Sequence, residues 1–105
     1  MIWRIRERSA FTRLAREGRR TRAGVLWCTY IPDPDATPPR VAYALGRAIG
    51  PAVVRNRLRR RLRAVMAHSS LPPGLYLIGA QPAAAQRSRD ELVFDVNHLV
   101  ASVRA

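Results

Sequence analysis

The stretch that most constrains this chain is Gly50-Pro51-Ala52-Val53-Val54-Arg55-Asn56-Arg57-Leu58-Arg59-Arg60-Arg61-Leu62-Arg63. Pro51 suits the first position of a helix, where its missing N–H has no partner to lose and its φ is already set. At about 100° per residue, Val54, Leu58, Leu62 and Val65 form one apolar stripe. Asn56, Arg59, Arg60 and Arg63 fall on the opposite side, with Arg55, Arg57 and Arg61 along the flanks. Such a helix docks on a core by a narrow edge and carries guanidinium groups around the rest of its circumference. Charge runs on helices are usually solvated faces, but those mix signs at i, i+4 spacing. Here no acid occurs between Arg40 and Asp90, so nothing local neutralises the run. A nucleic-acid face is the expectation.

The rest of the composition agrees. A chain of 105 residues makes one domain, here residues 1–105 as a single unit expected to bind nucleic acid. With 48% apolar residues it should fold rather than stay disordered. A net charge of +12 and a pI near 11.8 point to nucleic acid first and an anionic membrane surface second. All 19 basic residues are arginine; planar, always-charged forks bind phosphate bidentately and stack on bases. The lone Cys28 excludes an intramolecular disulfide and suggests a reducing compartment, its place in an apolar run suiting a buried thiol. No apolar run reaches membrane-spanning length and the start has no apolar signal core, so a soluble cytoplasmic protein without a membrane partner is expected.

In chain order, residues 1–8 read as a basic, loosely held arm. Residues 9–17 suit a short helix with Ser9 as N-cap, Phe11, Leu14 and Ala15 on one face and Gly18 as the stop. Val25–Ile31 is β-branched and aromatic, hence a strand. The proline-rich 32–39 is an exposed loop, and 40–45 is a second strand, the two forming an antiparallel hairpin with a long acidic tip. Residues 46–50 turn into the basic helix, which runs to about His68. Leu75–Gly79 is an uncharged apolar strand and so a central one; 83–86 is linker. The last helix, about 89–103, places Leu92, Val96, Leu99, Val100 and Val103 on one face, with Asp90, Glu91 and Asp95 near its positive start.

Catalytic constellations are missing from the sequence. His68 and His98 have no company at metal-ligand spacing, Asp33 and Asp35 are better read as solubilising loop acids, and no nucleotide-binding or hydrolase motif occurs. Neither a catalytic residue nor a protein-bound metal is expected; the chain reads as a binder. Single-stranded RNA is held by bases stacking on rings beside a basic track, which makes Phe11, Trp27, Tyr30 and Tyr43 candidates. Core packing suits most of them better. Phe11 is the exception, because its short helix is flanked by arginine and a groove between helix and sheet would expose the ring.

Ala52-Val53-Val54-Arg55-Asn56-Arg57-Leu58-Arg59-Arg60-Arg61-Leu62-Arg63 resembles the A-V-x-R-N-R-x-(K/R)-R-x-x-R signature of the bacterial ribonuclease P protein component. Arg4-Ile5 and Phe11…Gly18 are similar to that family's N-terminal R-L and D-F-x-x-V-F-x-x-G segments, Arg40-Val41-Ala42-Tyr43 to its R-V-G-F strand, and Ile49-Gly50 to the V-G before the signature. The resemblance implies an α+β fold: a single-domain α-β-β-β-α-β-α sandwich whose R-N-R helix lies in a left-handed βαβ crossover, against the usual right-handed rule. It implies an RNA-catalysed endonuclease in which the RNA subunit, holding Mg²⁺, hydrolyses the phosphodiester that frees the mature 5′ end of tRNA. The polypeptide then binds the ribonuclease P catalytic RNA and the 5′ leader of precursor tRNA, with no obligate protein partner. Carried over, Arg55, Asn56, Arg57, Arg59, Arg60, Arg63 and Arg47 are RNA-binding residues, and Phe11, Trp27 and Arg8 belong to a leader cleft. Ala15 and Thr29 stand where aromatics are common, Ala80 where arginine is frequent, and Gly46-Arg47-Ala48 replaces S-K-K. Trp27 shares a strand face with Thr29 and is placed to compensate. The competing reading is a small ribosomal or general RNA-binding protein. A DNA-binding helix is disfavoured because strands, not a helix-turn-helix, surround the basic element.

Overall fold

A computed structural model describes residues 2–104. Its elements are β1 (Trp3–Arg4), α1 (Arg8–Glu17), β2 (Arg19–Ala23), β3 (Leu26–Pro32), β4 (Arg40–Ala44), α2 (Ala52–Met66), β5 (Gly74–Ala80) and α3 (Arg89–Arg104), with one-turn 3-10 helices at Arg47–Ile49 and Pro82–Gln86. The strands form one sheet in the order β1-β4-β5-β3-β2. β1, β4 and β5 run parallel to one another, while β3 is antiparallel to β5 and β2 to β3. The basic helix α2 is the crossover between the parallel neighbours β4 and β5. This is the expected mixed α+β sandwich, with a two-residue strand added at its front.

Alternation along the strands sorts side chains into two layers. Leu26, Cys28 and Tyr30 of β3, Val41 of β4, and Tyr76 and Ile78 of β5 face one way, against Leu58, Leu62 and Met66 of α2 and Leu92, Val96 and Leu99 of α3. Ile31 and Leu75 face the other way, against Ala10 and Leu14 of α1, with Ile5 and Ala36 completing that smaller core. The sheet therefore carries two helices on one face and one short helix on the other. α1 contributes only Ala10 and Leu14 to the interior, one turn apart, so it covers the sheet near Ile31 and Leu75 and leaves the rest of that face open.

Leu75–Gly79 is central, as expected of an uncharged strand, and this overturns the hairpin expected of 25–31 with 40–45. β5 inserts between them, pairing Thr29 with Leu77 on one side and Ala42 with Leu77 on the other. An apolar strand buried on both faces gains most from having both edges paired, and the seven-residue loop from 33 to 39 is long enough to let β4 cross. The true hairpin is β2–β3. Its turn uses Gly24 at φ +59°, where a side chain would also run into the Asp95 carboxylate. Arg19–Ala23 was hidden in the sequence by its arginines: Arg20 and Arg22 lie on one face, while Thr21 on the other donates to Ser102 Oγ at 2.9 Å.

The N-terminal arm is likewise not loose. The Trp3 N–H donates to Pro39 O at 2.8 Å and that of Ile5 to Val41 O at 3.2 Å. Ile2 packs on the larger core and Ile5 is buried in the smaller one, so two apolar anchors offset the repulsion among the arginines; Met1 lies outside the described residues. α1 begins at Arg8, with Glu7 rather than Ser9 at the cap position and no side-chain cap bond. Gly18 is extended (φ −65°), not left-handed. Its need for glycine is close packing, since a Cβ there would meet Leu14 O and Thr29 Cγ2. Residues 83–86 are not free linker: Ala84 is fully buried within its 3-10 turn. Ser88 and Glu91 cap α3 reciprocally, Ser88 N–H to Glu91 Oε1 at 2.8 Å and Glu91 N–H to Ser88 Oγ at 3.2 Å.

Candidate nucleic-acid interface

α2 is attached as its stripe requires. Leu58, Leu62, Val65 and Met66 are buried, and Val54 is half-buried at the first turn. Each fully buried aliphatic is worth roughly 1.5–3 kcal/mol, enough together to hold a helix whose six arginines repel one another. Among the described residues the ion pairs use Arg13, Arg40 and Arg87. None involves Arg55, Arg57, Arg59, Arg60, Arg61 or Arg63 of α2. Five of the seven acids are occupied elsewhere: Glu7 with Arg40, Glu17 and Asp33 with Arg13, Glu91 and Asp95 with Arg87.

The α2 side chains divide into two sets. Asn56, Arg59, Arg60 and Arg63 line a hollow of about 510 Å³ whose other wall is Phe11 of α1 and whose floor is Ala42 and Tyr43 of β4, with Arg4 and Ile5 at one end. This groove passes over the sheet edge, because β1 covers β4 only at Arg40 and Val41. Arg59 donates to Asn56 Oδ1 at 2.7 Å, which fixes both side chains along the wall. Arg57 and Arg61 lie instead on the α3 side, where Arg61 donates to Arg87 O at 2.6 Å. Arg61 is thus tied into the fold, while Arg60 lines both hollows.

The other candidates fall as follows. Phe11 is 40% exposed, although an aromatic of its size is ordinarily buried. Arg8 is exposed at the start of α1 and Arg47 on the 3-10 turn before α2, and neither reaches the groove. Arg55 is half-buried, its Nε without a hydrogen-bond partner among the described residues. Trp27 lies on the open sheet face, next to Thr29 on that face as expected. Its ring, however, lies flat on Gly79, and the Arg20 guanidinium sits 4.5 Å from its centroid. Both faces of the indole are therefore occupied. Arg20, which sequence reading passed over, brings a cation to the face where Thr29 stands in place of an aromatic; Ala80 pairs with Leu26 and lies on the opposite face, against the larger core. Arg4 was missed as a groove residue as well, and Tyr43, a stacking candidate set aside for core packing, lines the groove too. They look like ordinary strand positions, and only the placement of α2 over the β4 edge gives them a role.

The remaining reactive groups are quiet. Burial pushes the Cys28 thiol up to about 12, with a small opposing effect from the Leu77 backbone, so no thiolate forms near neutrality. Asp33 accepts from the Asp35 N–H and from Arg13, and these bonds hold its carboxyl below the usual range; it shapes its loop. His98 packs against Phe94 with ring centroids 4.2 Å apart. No cluster of three or more metal-ligating side chains occurs among the described residues, and no helix is long and apolar enough to cross a membrane.

Comparison with known proteins completes the picture. The family model described as Ribonuclease P matches residues 2–104. The ribonuclease P protein component of Beutenbergia cavernae is 37% identical over 103 residues, covering 95% of this chain and 87% of that protein. That of Thermobifida fusca is 36% identical over 110 residues, covering 95% and 75%. Among solved structures, a Staphylococcus aureus RNase P protein mutant with defective mRNA degradation activity superposes with a TM-score of 0.86 at 17% identity, covering 97% of this chain and 88% of that one. The Thermotoga maritima RNase P protein superposes with a TM-score of 0.82 at 16% identity, covering 97% and 96%. With a family model spanning almost every residue and relatives well above 30% identity along the same length, this chain belongs to the ribonuclease P protein family.

Proposed function

We propose that the chain is the RNA-binding protein subunit of ribonuclease P in the cytoplasm, and that it works by positioning RNA rather than by cleaving it. α2 grips the catalytic RNA through Asn56, Arg59, Arg60 and Arg63, with Arg55, Arg57 and Arg47 adding phosphate contacts at its flanks and start. Phe11 offers an exposed ring on which a base of the single-stranded 5′ leader stacks. Trp27 and Arg8 border that path, Trp27 through the Arg20 guanidinium on its outer face. Holding leader and catalytic RNA on one surface favours precursor over mature tRNA, because the product has lost the leader.

The observation that carries this reading is the groove itself: four α2 side chains free of any acid face an exposed aromatic across an open sheet edge. Guanidinium groups repel a divalent cation, so the groove does not fit Mg²⁺ and no residue of this chain is assigned to it. The expected Mg²⁺ belongs to the RNA subunit. Competition binding tests the reading. The protein should prefer ribonuclease P RNA over a ribosomal RNA fragment of equal length at physiological salt. Equal affinity for both would leave a general RNA-binding protein instead.

A further inference from the structure

The groove beside α2 does not end at Arg63. A second hollow of about 250 Å³ continues past it, walled by Ile2, Val41 and Met66. The two hollows share three side chains, Arg4 of β1, Tyr43 of β4 and Arg63 of α2. These form a ridge on which three separate elements converge. Tyr43 and Arg4 lie on the same sheet face as Val41, the face turned toward α2, as the pairing of Arg4 with Val41 requires. At neutral pH the two guanidinium forks can only donate, and the phenol adds an O–H that donates beside them. The Tyr43 ring is half-buried. Burial pushes its pKa up to about 12 despite the nearby Arg63, so the phenol keeps its proton throughout the range in which RNA is handled.

We propose that Arg4, Tyr43 and Arg63 form a phosphate clamp for the backbone of the catalytic RNA at the C-terminal end of α2. Two cationic forks beside a phenol O–H call for an acceptor that carries negative charge and several oxygens, which a phosphodiester provides. The clamp rests on the subunit reading above and adds two residues to its interface. It also gives the hydroxyl of Tyr43 a purpose: the resembling R-V-G-F strand has a phenylalanine at this place, so the ring serves packing and the oxygen is extra. The N-terminal arm gains a purpose as well, since pairing β1 with β4 is what carries Arg4 to the ridge.

The test is binding of the full-length protein to the catalytic RNA across a salt series, with thermal melting of each variant as the control for folding. Tyr43→Phe removes one oxygen and no charge. It should weaken binding roughly three- to tenfold, the value of one partly exposed hydrogen bond, with unchanged melting and an unchanged log–log salt slope. Arg4→Gln should weaken binding and lower that slope by about one. In the double variant the losses should fall short of the product, because both groups hold the same phosphate. Unchanged affinity in Tyr43→Phe, a loss accompanied by lower melting, or multiplicative losses in the double variant would each overturn the clamp. Failure of the wild-type protein to prefer the catalytic RNA would instead remove the parent reading and the clamp with it.

Discussion

Arg60 is the side chain that best shows what residue placement means here. It lines the hollows on both sides of α2 and pairs with no acid among the described residues. Replacing it with alanine removes a cation while leaving the buried stripe intact. Arg60→Ala should weaken RNA binding and reduce the log–log salt slope by about one, with melting unchanged. Arg57→Ala should do the same from the α3 side; an unchanged slope in either would show a merely solvated arginine. Phe11 makes a different demand. Phe11→Ala should reduce affinity for precursor tRNA with a long leader by about 1–3 kcal/mol, the worth of one base stacked on a ring, and leave mature tRNA nearly untouched. Equal losses on both substrates would assign Phe11 to packing.

At the scale of elements, α2 is held by few contacts and α3 by many. Leu62 is fully buried between them, so Leu62→Ala should cost about 2–5 kcal/mol and abolish RNA binding together with the folded state, measurable as a collapse of the thermal transition. At the start of α3, Glu91 accepts from the Ser88 N–H and hydroxyl and faces Arg87, and these partners hold its carboxyl below the usual range. A carboxyl whose folded-state pKa is depressed stabilises above its ordinary pKa and loses that contribution as pH falls through the depressed value. Acid titration of stability should therefore be shallower in Glu91→Gln, whose amide can still cap. Elements with a clear period were legible from sequence: the stripe of α2, the apolar face of α3, the uncharged β5. β1 and β2 were not, because their arginines sit on exposed faces and mask two short strands whose pairing is decided elsewhere. The insertion of β5 between β3 and β4 was illegible for the same reason: strand order is a long-range choice that local alternation does not record. At the interface, the α2 arginines could be read from spacing, whereas Arg4, Tyr43 and Arg20 acquire their positions only through that strand order.

For the molecule as a whole, a net charge of +12 is not spread evenly. The acids are spent on α1, the loop after β3 and the start of α3, where they hold Arg13, Arg40 and Arg87. The α2 arginines are left uncompensated along a groove that runs from Phe11 over the sheet edge to Arg4. A fold built this way keeps its core and its basic face on opposite sides of the same helix, so variants that change RNA binding and variants that change stability should separate cleanly. On the function proposed above, this surface serves an RNA that does the cutting. The most direct measurement adds the purified protein to its matching ribonuclease P RNA at low Mg²⁺ and follows cleavage of a precursor tRNA at the mature 5′ end. Strong stimulation is expected with the wild-type chain, and loss of it when Arg59, Arg60 and Arg63 are replaced together; cleavage no faster with the protein than without it would rule out that role.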